Sequence, residues 1–166
     1  MKEKLIFLDI DGVLNNKQDG SSYYCLNPKS YGISINNLNN IKYLISITNA
    51  KIVLSTNWRN HEYNFEYLYN GKYFKSPLLK LNYELSDNFF QYESCPHIHG
   101  CNKRDDILGF FYYTKFDPAD FNYIILDDAT NQGLEYFKKR FFCIDVETGF
   151  TKSNAENAAL FLNYNE

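Results

Sequence analysis

Two pairs of aspartates in the sequence have the spacing of metal-binding carboxylates. Each pair directly follows a short apolar run, and the four residues are Asp9, Asp11, Asp127 and Asp128. Two carboxylates this close repel each other, so the arrangement needs a cation or a shared proton. A hard divalent ion with oxygen ligands meets that need, and Mg²⁺ is the usual choice where a phosphate supplies part of the shell. One pair alone could be a solvated loop feature, but two pairs at neighbouring strand ends favour a Mg²⁺ site.

A phosphate can approach this negative charge only if hydrogen-bond donors and a fixed positive charge lie nearby. The apolar run 51–54 is followed by Ser55 and Thr56, and we prefer the hydroxyl of Thr56 as the donor to a phosphoryl oxygen, with Ser55 as the alternative. Lys103 opens a predicted helix and can neutralise both the phosphate and a carboxylate nucleophile. A lysine at a helix start is more often solvated, and Arg104 is a rival for this role.

Two groups near the predicted site admit both a functional and a structural interpretation. Trp58 could stack on a base and Arg59 could bind a second phosphate, and Arg59 is the better candidate of the two. The structural alternative is a core tryptophan and a surface arginine on the first turn of a helix. Asp145 and Glu147 could line the substrate edge, although a turn ahead of Gly149 is the simpler interpretation.

A short segment carries two cysteines and two histidines, which are ligand types of structural zinc. The four residues are Cys95, His97, His99 and Cys101. Zinc ligands usually come in close pairs separated by a longer loop, and ligands at alternating positions are hard to wrap around one tetrahedral ion. We therefore favour a loop beside the active site over a zinc site. A Cys–His nucleophilic pair is also disfavoured, because no acid is apparent that would orient the histidine.

The elements that must position these residues follow from the alternation of apolar runs and helical periodicity. Strands are predicted at residues 4–8, 51–54, 123–126 and 141–144. Helices are predicted at residues 58–69, 103–113 and 132–139. Two further helices are predicted to begin after an N-cap at Ser34 and after a capping box formed by Ser153 and Glu156. Residues 71–100 show mixed signals. This order predicts an α/β fold, a Rossmann-like parallel sheet with helices on both faces. Ligands bind at the carboxyl ends of such strands, where the aspartate pairs and the two hydroxyl residues should meet.

Composition indicates a folded globular domain and limits its partners. The 166 residues are 45% apolar and 18% aromatic without an internal repeat, which predicts a single domain over residues 1–166. The net charge is −3, so no global basic surface is available to hold nucleic acid. No apolar stretch is long enough to span a bilayer or to form a signal peptide. The four cysteines do not resemble a secreted disulfide framework, so we expect a reduced, cytoplasmic protein. We also expect no membrane association, and no obligate protein partner is evident from the sequence.

The order of these motifs resembles that of the haloacid dehalogenase-like (HAD) superfamily. LIFLDIDGV is similar to its first motif, IVLST to the second, Lys103 to the third and IILDD to the fourth, in the right order along the chain. Asp11 stands at the second acidic position of the first motif. This resembles the phosphatase branch, because dehalogenase members lack an aspartate there.

The resemblance implies hydrolysis of a phosphate monoester through an aspartyl-phosphate. Asp9 would attack phosphorus in line, and Asp11 would protonate the leaving oxygen and then activate water. Thr56 and Lys103 would stabilise the equatorial oxygens. These four residues form the expected catalytic set.

The resemblance also implies the cofactor and its ligands. Mg²⁺ would be held by the carboxylate of Asp9, the backbone carbonyl of Asp11 and Asp127, with Asp128 ligating the ion or orienting a metal-bound water. The residues assigned to substrate binding are Gly12, Ser55, Asn57 and Arg59.

The spacing between the motifs leaves little room for a large cap domain, because most of the intervening residues must build the core. Superfamily members without a cap tend to act on large or extended substrates. The segments DIDGVLN, LSTNWR and IDVETGFT further resemble the phosphatase part of RNA-repair proteins, and polynucleotide end-phosphatases have a similar core. The expected substrate is a nucleotide, an oligonucleotide end or a similar phosphomonoester, although the acidic composition argues against a tight grip on a polynucleotide.

Two other functions would use the same fold. A non-enzymatic protein could bind or sequester a phosphorylated ligand, but it would not need Asp11. A protein phosphatase could admit a phosphopeptide loop to an exposed site. The intact motif residues favour the enzyme.

Overall fold

The computed structural model describes residues 2–21, 32–56, 67–69, 72–74, 81, 84–96 and 101–164, and at residues 67–69, 72–74, 92 and 93 it describes the backbone alone. The strands are β1 (Glu3–Leu8), β2 (Lys51–Leu54), β3 (Tyr67–Tyr69), β4 (Lys72–Phe74), β5 (Phe89–Ser94), β6 (Phe121–Asp127) and β7 (Phe141–Cys143). The α-helices are α1 (Ile35–Thr48), α2 (Lys103–Thr114) and α3 (Lys152–Tyr164). Short 3₁₀ segments cover Ser86–Asn88, Pro118–Asp120 and Leu134–Arg140.

Five of the strands form one sheet in the order β5–β2–β1–β6–β7. Each pairing is parallel, and β1 lies at the centre between β2 and β6. The register pairs Leu8 with Leu54 on one side and with Leu126 on the other. The carboxyl ends of the three central strands therefore lie level, and the predicted Rossmann-like parallel sheet is confirmed.

Helices cover both faces of this sheet, as the continuous apolar character of its strands predicts. Successive residues of a strand point to opposite faces, so Ile6 and Leu8 pack in one core while Leu5 and Phe7 pack in the other. The first core receives α1 and α3, and the second receives α2. The main helix residues of the two cores are Leu38, Ile41, Leu44, Ala155, Ala158 and Leu162 in the first, and Ile107, Phe110 and Phe111 in the second.

The predicted start is confirmed for α1 and wrong for α3. Ser34 is the N-cap of α1, as predicted, and its side chain accepts a hydrogen bond from Asn37 N at 3.4 Å. The capping box predicted at Ser153 and Glu156 is wrong, because α3 already begins at Lys152. The reciprocal bonds instead join Thr151 and Asn154, with Asn154 N donating to Thr151 Oγ1 at 3.2 Å and Thr151 N donating to Asn154 Oδ1 at 2.9 Å. Asn154 thus has the place that Glu or Gln has in a capping box, two residues earlier than the sequence pattern predicts.

The helix predicted over residues 58–69 is wrong at its end, where residues 67–69 form β3. This strand pairs antiparallel with β4, and Tyr69 lies opposite Lys72. The sequence carried a signal for this hairpin, because Asn70-Gly71 between two β-favouring segments is the strongest short-range hairpin pattern. Residues 57–66 lie outside the described part of the chain.

A 3₁₀ segment, an edge strand and a hairpin differ in how well the sequence predicted them. The helix predicted at residues 132–139 is a 3₁₀ segment, interrupted at Lys138 by non-helical backbone angles. The remaining strand of the sheet, β5, lies within residues 71–100, where the sequence pattern favoured neither helix nor strand. Within the described ranges, the β3–β4 hairpin is the addition to the core sheet, in line with the expected lack of a large cap domain. No described helix has the length and apolar character needed to cross a membrane.

Candidate active site

The carboxyl ends of the three central strands bring the predicted residues side by side. The hydrogen bonding of the sheet continues past β1, since Asp9 N donates to Leu126 O at 3.0 Å. On the other side of β1, Ser55 N donates to Leu8 O at 2.9 Å. Asp9 therefore lies in the middle, with Ser55 on one side and Asp127 on the other. Each of these side chains is almost fully buried.

Lys103 reaches this edge of the sheet from the first turn of α2. The helix begins there because Asn102 acts as its N-cap, accepting a hydrogen bond from Asp105 N at 3.2 Å. The buried ammonium of Lys103 contacts Oδ2 of Asp9 and lies 2.6 Å from Oδ2 of Asp127. The rival Arg104 is half-buried and pairs with the adjacent Asp105 at 2.8 Å. Of the two basic residues, Lys103 is the one that lies between the aspartates.

The charges of this cluster perturb one another strongly. Burial alone would lower the pKa of Lys103, but the carboxylates of Asp9 and Asp127 outweigh burial and raise it. Burial and the negative charge of Asp9 raise the pKa of Asp127 to about 7, although Lys103 acts in the opposite direction. Burial and Asp9 also raise the pKa of Asp128. The carboxylates therefore repel one another even with an ammonium between them.

Three carboxylates of the cluster are arranged so that they could hold a metal ion. Asp9, Asp127 and Asp128 each offer an oxygen, and these oxygens lie within 4.8 Å of one another. When ionised, the three carboxylates and the ammonium of Lys103 leave an excess of two negative charges. A divalent cation would neutralise this excess, and an all-oxygen donor set suits a hard ion such as Mg²⁺.

Gly12 makes the approach of Asp128 possible. Its φ is +69°, which a residue with a Cβ rarely adopts. A Cβ at this position would lie 2.7 Å from Cβ of Asp128 and closer still to its carboxylate. The geometry thus gives Gly12 a steric role beside Asp128, next to the substrate-binding role expected from the sequence.

Asp11 lies beyond the end of β1 and is half-buried. Asn15, which the sequence analysis did not single out, donates from Nδ2 to Oδ1 of Asp11 at 3.0 Å. The same side chain accepts a hydrogen bond from Gly12 N at 2.9 Å through its Oδ1. The asparagine in DIDGVLN was visible in the sequence, but its contact with Asp11 depends on the turn that the chain makes after Ile10.

The comparison with known families agrees with this arrangement. Residues 5–155 match the family described as the HAD domain in Swiss Army Knife RNA repair proteins. The chain belongs to this family. The match spans the four motifs and confirms the resemblance drawn from the sequence, both to the HAD superfamily and to its RNA-repair subgroup. No curated protein matches the chain.

The second motif of this HAD domain ends in two buried hydroxyl residues with different surroundings. Ser55 is 1% exposed, and its Oγ has no hydrogen-bond partner among the described residues. Thr56 is also buried but has an interaction of its own. An unsatisfied buried hydroxyl is costly unless a ligand supplies the partner. A ligand could therefore supply the partner of Ser55 Oγ, and Ser55 is the residue that the sequence analysis named as the alternative to Thr56.

Several predicted residues lie outside the described part of the HAD domain. These are Asn57, Trp58, Arg59, His97 and His99. Of the four residues considered as zinc ligands and disfavoured for that role, Cys95 is buried and Cys101 is exposed. Within the described ranges, the group of side chains that could hold a metal ion is the one formed by the three aspartates.

The late segment IDVETGFT supports the loop that follows the first motif. Asp145 Oδ1 accepts from Glu147 N at 2.9 Å, which is the turn that the simpler interpretation expected. Phe150 N donates to Val13 O at 2.8 Å, and Asn37 Nδ2 donates to the same carbonyl at 3.2 Å. Gly149, with a φ of +64°, allows this approach, because a Cβ there would overlap the amide of Asn37. The segment thus fixes the loop that carries Asp11.

Proposed function

We propose that this HAD domain is a Mg²⁺-dependent phosphatase that hydrolyses a phosphate monoester at the end of a nucleotide or polynucleotide. The observation that carries the proposal is the buried contact of one ammonium group, that of Lys103, with the carboxylates of Asp9 and Asp127. A nucleophile beside a fixed positive charge suits phosphoryl transfer, in which catalysis consists mainly of positioning and electrostatic stabilisation.

The proposed reaction has two steps. In the first, a carboxylate oxygen of Asp9 forms a bond to phosphorus while the bond from phosphorus to the leaving oxygen breaks, and Asp11 supplies a proton to that oxygen. In the second, water attacks phosphorus and gives a proton to Asp11, and the bond to Asp9 breaks. The products are an alcohol, inorganic phosphate and the original enzyme.

Mg²⁺ would be held by Asp9, Asp127 and Asp128, with the backbone carbonyl of Asp11 as the further ligand implied by the family resemblance. When bound, the ion would neutralise charge on the phosphoryl oxygens. The support for this assignment is the spacing of the three carboxylates and their excess negative charge. Burial and the negative charge of Asp9 raise the pKa of Asp127, which is a further sign of the excess negative charge at this site.

Ser55 is the proposed hydroxyl donor to the phosphoryl group. It extends the strand next to Asp9 and is almost fully buried, and its Oγ has no partner among the described residues. A bound phosphate would supply the missing acceptor. Thr56 then becomes a structural neighbour of the site rather than its donor.

The substrate class rests on the family description and on the openness of the fold. The family is named for RNA repair, and the described residues add a hairpin rather than a large cap to the core. An RNA end is an extended substrate that needs an accessible site. Arg59, three residues past Thr56, remains the proposed contact for a second phosphate of such a chain.

The test is a phosphate-release screen with Mg²⁺ and with excess EDTA. The substrates are nucleotides, 3′- and 5′-phosphorylated oligonucleotides, sugar phosphates and phosphopeptides, and the control is the Asp9→Asn variant. We expect turnover of an oligonucleotide end that needs Mg²⁺ and falls to background in the variant. Full activity in EDTA would refute the metal dependence, and a folded, active Asp9→Asn variant would refute the nucleophile. Tight binding of a phosphorylated ligand without turnover would favour the sequestering protein instead.

A further inference from the structure

A polar pocket of about 390 Å³ lies beside the loop of the first motif, and none of the clustered aspartates lines it. Its walls come from the loop after β1, the first turns of α1 and the segment that leads into α3, so it lies at the same edge of the sheet as the candidate active site. Its volume is in the range of small-molecule sites. Most of its lining side chains are amides, namely Asn16, Gln18, Asn36, Asn37 and Asn40.

Asn37 and Asn40 each use one end of the side-chain amide to hold the frame of this pocket. Asn37 Nδ2 donates to Val13 O at 3.2 Å, and Asn40 Nδ2 donates to Phe150 O at 2.9 Å. A carbonyl oxygen only accepts, so the NH₂ end of each amide must face it and the orientation is forced. Oδ1 of each residue is then left as an acceptor, and none of the described residues donates to it. Asn37 is 3% exposed, so what remains accessible of it lies in the pocket that it lines.

These fixed groups select a ligand that is neutral and donates hydrogen bonds. The two fixed acceptors are three positions apart on one face of α1, and they repel a phosphate oxygen, which is an acceptor as well. Asp19 and Lys152 also line the pocket, and their opposite charges add no net charge to it. Among the described residues that line the pocket, no aromatic ring offers a stacking surface to a nucleobase. The hydroxyl groups of a sugar are therefore the best match.

We propose that this pocket binds ribose hydroxyl groups of the RNA strand whose terminal phosphate lies at Asp9, with Oδ1 of Asn37 and Oδ1 of Asn40 accepting from them. This inference rests on the proposed function and adds a second binding site to it. The 2′-hydroxyl is the group that distinguishes RNA from DNA, and it is the free hydroxyl of a ribose within a strand. The pocket would therefore give the phosphatase a preference for RNA over DNA that does not depend on the base sequence.

The pocket is close enough to the proposed nucleophile for one strand to reach both. Val13, whose carbonyl accepts from Asn37, is four residues from Asp9, and four residues span at most about 14 Å. At about 3.4 Å per nucleotide along a strand, roughly four or five nucleotides cover that distance. An oligonucleotide that places its terminal phosphate at Asp9 can thus extend to the pocket.

The test compares three strands of one sequence, made as RNA, as DNA with deoxyuridine, and as 2′-fluoro RNA. Each is about ten nucleotides long and carries its phosphate at the end that the parent hydrolyses. We expect kcat/KM for RNA to exceed that for DNA by about 2–10-fold for each hydroxyl bound, the value of a neutral hydrogen bond. The 2′-fluoro strand keeps a small substituent on the sugar but has no hydrogen to donate, so it should behave like DNA. Equal kcat/KM for RNA and 2′-fluoro RNA would overturn the hydroxyl site.

Asn40→Ala removes one of the acceptors, and Asn122→Ala is its matched control. Asn122 Nδ2 donates to Leu162 O at 2.6 Å, so each variant loses an amide that bonds a backbone carbonyl, and both should lower Tm. Only Asn40→Ala should lower the ratio of kcat/KM for RNA to that for DNA, by about 2–10-fold and mainly through a higher KM for RNA. A ratio in Asn40→Ala equal to that of the parent, or an equal fall in Asn122→Ala, would overturn the role of the pocket.

Failure of this inference can be distinguished from failure of the proposed function. An inactive parent would refute the phosphatase and this inference with it, whereas an active parent that hydrolyses RNA and DNA ends equally would refute the ribose site alone. If Asn40→Ala does not fold, the comparison of RNA with 2′-fluoro RNA on the parent still decides the inference. Binding of the three strands to Asp9→Asn, measured by fluorescence anisotropy, should give RNA a higher affinity than DNA or 2′-fluoro RNA, and equal affinities would contradict the ribose site.

Discussion

Lys103→Met should destabilise the metal-free protein by about 3–5 kcal/mol, because removing one partner of a buried ion pair leaves the other charge without compensation. Lys103 is 8% exposed, and its ammonium lies 2.6 Å from Asp127 and also contacts Asp9. Methionine has nearly the same shape, so the loss arises from charge rather than from a cavity. Protonation of Asp127 relieves part of the repulsion, because burial and Asp9 already raise its pKa to about 7. We therefore expect the lower end of the range at neutral pH.

The measurement is urea and thermal unfolding in EDTA, followed by circular dichroism. In a protein of this size, a loss of about 3 kcal/mol lowers Tm by about 6–12 °C. Lys103→Arg keeps the positive charge, so it should lose less stability than Lys103→Met. Lys139→Met is the surface control, since Lys139 is exposed, and it should unfold close to the parent.

A double variant separates the charge effect from a general loss of packing. Adding Asp9→Asn to Lys103→Met removes one of the two carboxylates that face each other, so it should restore part of the lost stability. Unfolding of Lys103→Met at the same urea concentration as the parent would refute the buried ion pair. Additive losses in the double variant would show that packing, not charge, stabilises this edge of the sheet.

Three further predictions concern other parts of the site. Mg²⁺ should raise the Tm of the parent but not of Asp127→Asn, and equal shifts in both would remove Asp127 from the metal site. Ser55→Ala should lower kcat/KM about 100-fold, as expected for one lost donor to the transition state, yet leave urea stability unchanged; a larger kinetic loss in Thr56→Ala would reverse the assignment. Gly149→Ala should lower the free energy of unfolding by about 1–3 kcal/mol because of the left-handed backbone alone, and by more because of overlap with Asn37. A free energy of unfolding close to that of the parent would contradict the contact.

The strands and the resemblance to the HAD superfamily could be read from the sequence because both depend on local patterns. A strand buried on both faces is a short apolar run, and β1, β2 and β6 all have this form. Acidic or hydroxyl residues directly after such runs must lie at the carboxyl edge of a parallel sheet. The family match over residues 5–155 rests on the same motifs in the same order.

Some local sequence signals did not match the structure that the chain adopts. The pattern of Ser153 and Glu156 predicts a capping box, but α3 begins at Lys152 and the reciprocal hydrogen bonds join Thr151 and Asn154. The aromatic stretch ending at residue 69 satisfied a helical period, but pairing with β4 made its last residues a strand. The Asn70-Gly71 hairpin signal competes with that helical period, and a period within one segment does not include pairing with the next segment.

The sequence by itself determined which residues could do chemistry at this edge of the sheet, since residue type and strand position are both written in it. Only the tertiary structure decided which of those residues contact one another. The fold places Lys103, and not Arg104, between the aspartates. Thr56 has an interaction partner, whereas none of the described residues forms a hydrogen bond with Ser55 Oγ. The amide of Asn15 faces Asp11. Each of these outcomes depends on distances between groups that different segments of the chain bring together, and such distances exist only after the chain has packed.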